Sequence, residues 1–423
     1  MNRYLNIFRL PELRQKVFIV LGLLLVYRLL AAIPIPGVDL ASLRGFFEGN
    51  QLLGLFNLFS GGGLSNFSVV MLGVGPYITA TIVMQLLTII FPKFKEMYYE
   101  SGERGRAKFN QYSRMLTVPL GALQAFAFIS LLTTQGVIAP LHGLDLFRNL
   151  IIITAGSMVA LWLGELINEQ KIGNGISMII FAGIVSALPS ALFQAWEVYT
   201  PSLLPTYIGF FILAILTVIG IVLLNEGERK VPVAYARRVR GNKMYGGSSS
   251  YLPLKVNQAG MIPLIFAISV LLFPQFLAQM TALVSPTLSV TFNNWINSFL
   301  ANQWLYGTVY FLLVFVFTYF YTAVTFDPSE IAKNLQRSGG FVPGIRPGEG
   351  TSTYFARVIY RITFWGALFL GLIAVLPFIV QGLTGLTVLQ LSGTALLIVV
   401  SVALDAMRQI DSQLTMREYE GIE

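Results

Sequence analysis

The sequence contains no cysteine and only one histidine, His142, among its 423 residues. A thiolate nucleophile is therefore absent. Zinc sites are built mainly from cysteine and histidine, and haem iron takes its axial ligand from a similar set of side chains, so both kinds of centre are nearly excluded. We expect no metal site and no cofactor, and we interpret His142 as a solvated loop residue.

Charged residues are also scarce, because 11% of the chain is charged and 55% is hydrophobic. This composition argues against a soluble protein. A helix that crosses the hydrocarbon core, roughly 30 Å thick, needs about 20 mainly apolar residues. Unpaired backbone groups are costly in lipid, so such segments pack as helices of one bundle. The apolar runs predict ten spans, at residues 17–36, 69–91, 115–135, 148–164, 176–195, 207–225, 259–280, 303–325, 362–381 and 386–404.

The positive charges alternate along the chain. Twenty-five of the 28 Lys and Arg residues lie in alternate gaps between the predicted spans, and the exceptions are Arg28, Arg44 and Arg148. Cytoplasmic loops gather Lys and Arg, so both termini are predicted to be cytoplasmic. The net charge of +8 is then explained by topology rather than by nucleic-acid binding.

The region after the first span is apolar but broken by glycine. Residues 33–37, Ile-Pro-Ile-Pro-Gly, end the span, and three glycines at 61–63 interrupt the apolar stretch 52–72. Glycine has the most backbone freedom to lose in a helix, so we predict a half-helix, a break and a full helix from about Pro76. Non-helical backbone at membrane depth must be buried in protein or line a cavity. This favours a re-entrant element in a pore, with a plain external loop as the alternative.

Two predicted cytoplasmic loops, 225–258 and 327–361, are long and basic, and the second has a Gly/Pro-rich tip at 339–348. Orientation alone needs only a few charges beside each span. We therefore interpret both loops as docking surfaces for a soluble partner. Arginine pairs with carboxylate or phosphate, so an acidic protein or RNA would fit.

The predicted spans contain few ionisable groups. Ion-coupled transporters carry such groups near the bilayer midplane, whereas Glu165 and Asp405 lie at cytoplasmic helix ends and Arg28 lies close enough to the external end to snorkel. No span contains paired aspartates, a Ser/His pair or a metal-ligand cluster, and no Gly-x-x-x-x-Gly-Lys-[Ser/Thr] motif is present. We predict no catalytic residue and no enzyme activity.

A conduit closed by an apolar constriction is the class that these patterns favour. A small-solute secondary transporter, with helices broken at residues 73–76, is the main alternative. An insertase or scaffold without a continuous pore is a third.

Five separated segments point to a specific family within this class. Residues 69–87 (VVMLGVGPYITATIVMQLL) and 161–177 (LWLGELINEQKIGNGIS) closely resemble the characteristic segments of the SecY family, the channel subunits of the bacterial Sec protein translocase. Residues 33–37, 252–257 and 339–350 are similar to that family as well.

The resemblance implies an all-α membrane protein with ten transmembrane helices in two pseudo-symmetric halves of a single membrane domain, residues 1–423. Spans one to five and a plug at about 55–72 belong to residues 1–200. Spans six to ten and the loops 225–258 and 327–361 belong to residues 201–423. The plug is a re-entrant half-helix after span one that seals the pore, and the matching residues are Phe59, Ser60, Gly61, Gly62, Gly63, Leu64, Ser65, Asn66 and Phe67.

The resemblance also implies a constriction and a lateral opening. The pore ring matches Val74, Ile78, Ile180, Ile265 and Ile398, which without the resemblance would be ordinary helix-packing residues. The polar contacts of the lateral gate match Thr79, Gln85 and Asn257. Alternatively, these polar side chains are satisfied within their own helices.

The implied function is a passive channel in the bacterial plasma (inner) membrane. It passes unfolded secretory polypeptides across the membrane and releases apolar segments into lipid. The implied partners are the SecE and SecG subunits, the SecA motor ATPase, the ribosome (ribosomal RNA and protein at the tunnel exit), signal sequences, nascent polypeptides and membrane lipids. The implied partner-binding residues are Arg237, Arg238, Arg240 and Arg346.

Overall fold

The computed structural model describes residues 10–36, 57, 60–64, 66–134, 136–139, 141, 143–197, 199–235, 238–240, 243–245, 249–281, 286–384 and 393–420. These ranges are mostly helical. The helices are α1 (Pro11–Ala32), α2 (Gly75–Ile90), α3 (Gly102–Thr134), α4 (Leu144–Glu169), α5 (Gly175–Glu197), α6 (Leu204–Glu226), α7 (Ile262–Thr281), α8 (Pro286–Ala301), α9 (Gln303–Thr325), α10 (Pro328–Arg337), α11 (Glu349–Thr384) and α12 (Gly393–Glu420).

Proline marks several helix boundaries. Pro11, Pro76 and Pro205 lie in the first turns of α1, α2 and α6, where a missing N–H costs nothing. After α2, Pro92 starts a short turn, Pro92–Lys95, that continues as the π-helical turn Glu96–Glu100. The chain bends by 115° at this point, because the residue before a proline is disfavoured in helical geometry.

Within the described ranges, seven helices are long and apolar enough to cross a bilayer, and the bent pair beginning with α2 would make an eighth. The predicted spans 259–280 and 386–404 correspond to α7 and α12, which are not among the seven. The predicted class of a helical membrane protein agrees with this architecture. The count of ten spans stays a prediction.

The chain forms two compact units. The first comprises Met1–Thr200, Ile268–Ala301 and Ile398–Glu423, and the second comprises Pro201–Ala267 and Asn302–Leu397. Residues 268–301 and 398–423 group with the first unit, and the predicted division into halves at residues 200 and 201 stays a prediction. The pseudo-two-fold relation of the two halves stays a prediction.

In the first unit, α3 packs between α2 and α4, while α1 packs on α4 and α5. Small residues allow close approach of the backbones, as is common between membrane helices. At the α4–α5 contact, a Cβ on Gly175 would overlap the carbonyl group of Gly164. Arg114 of α3 also pairs with Glu165 of α4, with Nε and Oε1 2.6 Å apart.

In the second unit, α11 packs against α9 and α10. A sheet of order β4-β1-β5 is built from the strands β1 (Glu228–Tyr235), β4 (Ser249–Lys255) and β5 (Gly340–Phe341), all antiparallel. Val231 and Leu254 of this sheet, and Val342 directly after β5, pack with Phe355 of α11 in a buried cluster. A second antiparallel pair joins β2 (Arg238–Arg240) and β3 (Lys243–Tyr245). These strands lie in the two loops that were predicted only as docking surfaces.

The start of the second span differs from its prediction. The span was predicted from residue 69, but α2 begins at Gly75, and residues 69–74 form turns. The described residues 60–64 and 66–74 form mainly turns, apart from an isolated bridge at Ser68, and Asn57 is helical. The rest of the stretch before the glycines, where the half-helix was predicted, lies outside the described residues, so the half-helix stays a prediction. Phe59 and Ser65 of the predicted plug lie outside the described residues. The prediction of a full helix from about Pro76 agrees with α2.

Candidate functional site

The described residues 60–64 and 66–74, called here the turn segment, form a buried stretch of irregular backbone in the first unit. Gly61 and Gly62 have φ of +69° and +79°, a conformation that glycine adopts at little cost. Leu64 and Phe67 have fully buried side chains. The turn segment therefore combines the glycine break seen in the sequence with an apolar core of its own.

The end of α1 holds the turn segment by backbone hydrogen bonds. Ile35 donates its N–H to the carbonyl of Phe67 at 2.9 Å, and Val69 donates to the carbonyl of Ile33 at 3.1 Å. These bonds flank an antiparallel bridge between Pro34 and Ser68. The Ile-Pro-Ile-Pro turn after the first span thus pairs with the turn segment and does not simply end a helix.

Two neighbouring side chains of α1 satisfy carbonyls of the turn segment. The Tyr27 hydroxyl donates to the carbonyl of Ser60 at 2.6 Å, and Nη1 of Arg28 donates to the carbonyl of Gly61 at 2.7 Å. Unpaired backbone groups are costly where water is absent, so these bonds permit irregular backbone here. Arg28 was expected to snorkel toward the external end of its span. The hydrogen bond from its guanidinium to protein backbone was not expected.

Glycines on two helices leave room for the turn segment. A Cβ on Gly183 of α5 would overlap the Cα of Gly61, and a Cβ on Gly156 of α4 would overlap the carbonyl oxygen of Val69. The turn segment therefore lies in direct backbone contact with α4 and α5, and neither helix tolerates a larger residue at these points without displacement.

Replacing Arg28 with methionine is expected to loosen the turn segment. Hydrogen bonds to charged groups contribute about 1.5–3 kcal/mol, and methionine keeps the apolar stem while removing the donor. Because the chain has no native cysteine, a single cysteine at Asn66, which is half-buried, reports access to this segment. Its maleimide labelling should be about tenfold faster in R28M, as about 1.4 kcal/mol implies.

Arg28→Lys is the matched control for that measurement. Lysine keeps the charge and a donor, so its labelling rate should fall between those of wild type and R28M. Equal rates in all three proteins would show that the Arg28 bond does not hold the turn segment.

Five aliphatic residues were predicted to form a pore ring. Val74, at the N-cap of α2, and Ile180 and Ile398 are at most 1% exposed, and Ile265 is 8% exposed. Ile78 is half-buried, one turn after Val74. Four of the five belong to the first unit and Ile265 belongs to the second. The ring itself stays a prediction.

The predicted gate residues have different environments. Thr79 donates to the Gly75 carbonyl within α2 and accepts a bond from Nε2 of Gln124 on α3, at 3.1 Å in both cases. Oε1 of Gln85 is buried without a hydrogen-bond partner among the described residues. Nδ2 of Asn257 donates to Oδ1 of Asn225 at 2.8 Å. Thr79 is therefore satisfied both within its own helix and by a neighbouring one.

The predicted partner-binding arginines lie in the second unit. Arg346 is exposed between β5 and α11, and its carbonyl accepts a bond from the Thr351 hydroxyl at 3.0 Å. Arg238 and Arg240 are in β2, whose side chains are outside the described residues, and Arg237 lies outside them altogether. The tip 339–348, which includes β5, thus presents the Arg346 side chain to solvent.

The described part of the chain contains no group of three or more His, Asp or Glu side chains placed to hold a metal ion. His142 lies outside that part. Sequence reasoning missed Tyr27, Gly156 and Gly183, which contact the turn segment. The only local signal was the position of Tyr27 beside the lone charge of the first span.

Comparisons with known proteins agree with this architecture. The family model described as SecY matches residues 68–407. A protein translocase subunit SecY of Thermotoga maritima is 43% identical over 430 residues, covering 98% of this chain and 96% of that protein. The fold is shared with a solved structure titled as a protein conducting channel, with TM-score 0.63 and 18% identity, covering 95% of this chain and 92% of that one.

A second solved structure with this fold is Sec61 in the canine ribosome-channel complex from the endoplasmic reticulum. Its TM-score is 0.62 at 19% identity, and the match covers 93% of this chain and 91% of that one. The match to the family model spans most of the chain, and the bacterial relative is similar over nearly its whole length. The chain belongs to the SecY family.

Proposed function

We propose that the chain is the protein-conducting channel of a bacterial translocase, a multi-pass protein of the inner membrane. Its SecY-family relative is named a protein translocase subunit, and its fold is that of protein-conducting channels. The alternative of a small-solute secondary transporter is wrong in light of these relatives. The family consists of channel subunits rather than catalytic enzymes, and enzyme activity is not expected.

The observation that carries this proposal is the turn segment. Irregular backbone at membrane depth requires partners inside the protein, and here α1 supplies them through Tyr27 and Arg28. We propose that a few hydrogen bonds and the packing against Gly156 and Gly183 hold this segment as a seal that is closed at rest and can be displaced as a unit. We assign the turn segment to the plug.

The constriction is proposed to be the ring of Val74, Ile78, Ile180, Ile265 and Ile398. Apolar constrictions close by dewetting, which lets them block ions without a specific binding site. The same side chains offer no polar group that would hold a passing polypeptide. Four members of the proposed ring are at most 8% exposed.

A lateral gate that includes Thr79, Gln85 and Asn257 would release apolar segments into lipid. Interhelical hydrogen bonds in membranes contribute about 0.6 kcal/mol on average. Contacts that weak suit helices that must separate when a signal sequence supplies its own apolar surface.

We propose that the pushing force comes from a partner at the exposed loops. A fold relative is solved in a ribosome-channel complex, which supports a translating ribosome, bound through ribosomal RNA and protein at its tunnel exit. The SecA motor ATPase is the proposed alternative driver, and SecE and SecG are the proposed companion subunits. Both chain termini are proposed to be cytoplasmic.

The proposal is tested by locating the translocating polypeptide. A single cysteine replaces Ile78, and a secretory substrate with one cysteine is stalled at successive lengths under oxidising conditions. A disulfide is expected only when the substrate cysteine reaches the constriction. Ile89→Cys is the control, because Ile89 lies on the same helix, outside the proposed ring, and is 57% exposed. Bonds of equal yield at both positions, or at neither, would contradict passage through the proposed ring.

Arg346→Glu is expected to abolish most motor-driven translocation without affecting folding. The Arg346 side chain is exposed, and the tip is held through its backbone carbonyl, so charge reversal changes the docking surface rather than the fold. Lys333→Glu makes the same charge change at another exposed site, on α10. Translocation into membrane vesicles is the measurement, and equal loss in both variants would indicate a general charge effect and not a specific role for Arg346.

A further inference from the structure

A groove opens between α9 and α11, within the second unit, and has a volume of about 210 Å³. Its apolar lining includes Gly307 and Phe311 of α9 and Leu372 and Val375 of α11. The groove therefore lies between two helices that are each long and apolar enough to cross a bilayer.

Two glycines shape this groove. A Cβ on Gly307 would lie 3.3 Å from Cγ1 of Val375, and a Cβ on Gly371 would lie 2.7 Å from the ring of Phe311. Because Gly371 has no side chain, the Phe311 ring lies against the backbone of α11. Because Gly307 has none either, the space beside Val375 stays open. The groove is thus formed by the packing of the two helices themselves.

Aromatic rings make the inner wall rigid. Phe378, which also lines the groove, meets Tyr306 edge-on with ring centroids 5.1 Å apart and Tyr310 at 6.4 Å. Such edge-to-face pairs are favourable beyond their buried area. The wall behind the groove is buried and does not collapse easily into it.

One end of the groove is polar. Nε2 of Gln303 donates to Oε1 of Gln381 at 2.9 Å and to the carbonyl of Phe378 at 3.2 Å. Trp304, in the first turn of α9, is 67% exposed. Tryptophan is enriched at membrane–water interfaces. The groove therefore runs from the interface toward the apolar interior, in the same polar-to-apolar order as a phospholipid.

We propose that this groove binds one acyl chain of a membrane phospholipid, with the glycerol esters beside Gln303 and Trp304. The volume is below the roughly 300–1,000 Å³ of pockets for drug-sized ligands, and it suits a single linear chain. A partner helix, about 10–12 Å across with its side chains, would need far more than the 210 Å³ of this groove to enter it. The lipid chain would complete the lipid-facing surface between α9 and α11.

The test uses the complete translocase complex in vesicles of phosphatidylethanolamine and phosphatidylglycerol. A small fraction of the phosphatidylethanolamine carries a photoreactive diazirine in mid-chain, and labelled residues are mapped by mass spectrometry. Labelling at Gly307, Phe311 and Val375 should exceed that at Leu312 and Val316, which are 53% and 59% exposed on α9 outside the groove, by about tenfold, or about 1.4 kcal/mol.

Substitutions in the groove test whether the lipid labelling depends on it. Thr308 is exposed and lines the groove, so Thr308→Trp should fill it and reduce groove labelling about tenfold. Thr308→Ala and Val316→Trp should leave groove labelling unchanged. If Thr308→Trp fails to assemble, Leu372→Trp fills the groove from the opposite wall.

Three outcomes would overturn the proposal. Equal labelling of groove and outer residues would mean that only freely exchanging lipid is present. Unchanged labelling after both tryptophan substitutions would place the lipid elsewhere. Labelling that appears only when the chain is separated from its partner subunits would identify a protein as the occupant.

Discussion

Replacing Gly183 with leucine is expected to make the channel leaky to ions and to relax its requirement for a functional signal sequence. Even a Cβ at Gly183 would overlap the Cα of Gly61. Gly61 has little room to retreat, because a Cβ on it would already lie 2.5 Å from the Tyr27 hydroxyl oxygen. The leucine side chain fits only if the turn segment moves away from α5.

The size of the effect follows from overpacking, which costs typically 1–3 kcal/mol. If this energy falls mainly on the closed state, the population with a displaced turn segment rises roughly 5- to 150-fold. Ion flux from proteoliposomes measures the leak, and maleimide labelling of a cysteine at Asn66 measures the displacement. Both should rise together, because a single movement causes them.

Gly22→Leu is the matched control. Gly22 lies in α1, in the same unit, and a Cβ there would meet no other atom within 4 Å. It makes the same chemical change in a membrane helix without touching the turn segment. Gly183→Ala should give a smaller leak than leucine in a folded protein. Equal ion flux in G183L and G22L would show that contact with α5 does not hold the seal.

Hydropathy predicted helix positions best where the apolar run and the helix end together. The span predicted at 303–325 agrees with α9, whose start is capped by Asn302 accepting from the N–H of Leu305. The span predicted at 176–195 agrees with α5, Gly175–Glu197, within two residues. In both cases the polar ends and the apolar centre are visible in the sequence itself.

Prediction was poorer where a helix continues beyond the membrane. The ninth span was predicted from residue 362, but α11 begins at Glu349. Its first turns are stabilised by Phe355, which packs on Val231 of the sheet and on Val342, directly after β5. A hydropathy pattern does not show which residue distant in sequence will supply such a partner, and the pairing of β1 with β4 was missed for the same reason.

The contacts of the turn segment were the feature that could least be predicted from the sequence. The glycine break correctly predicted irregular backbone, since it reflects a local conformational preference. The partners of that backbone are distant residues, Tyr27 and Gly183, whose own surroundings look like ordinary spanning helices. Arg28 was a usable signal, because a charge in an apolar span needs a partner, and here its partner is the Gly61 carbonyl.

Replacing Ile78 with asparagine is expected to raise resting ion flux even when the turn segment stays in place. An apolar constriction excludes water, whereas an amide side chain binds it. Ile78 is half-buried near the start of α2, so asparagine there is better tolerated than at the fully buried Ile398. Lowering the barrier by about 1.4 kcal/mol would increase the flux about tenfold.

The two seals can be separated by measuring flux and Asn66-cysteine labelling on the same variants. The I78N channel should leak ions without faster labelling of the cysteine. The G183L channel should show both the ion leak and the faster labelling. Ile89→Asn, the control at an exposed position of α2, should change neither the ion flux nor the labelling rate. If I78N keeps the wild-type flux while G183L leaks, the turn segment alone closes the pore. Ile78 would then be a packing residue, and its assignment to the ring would be wrong.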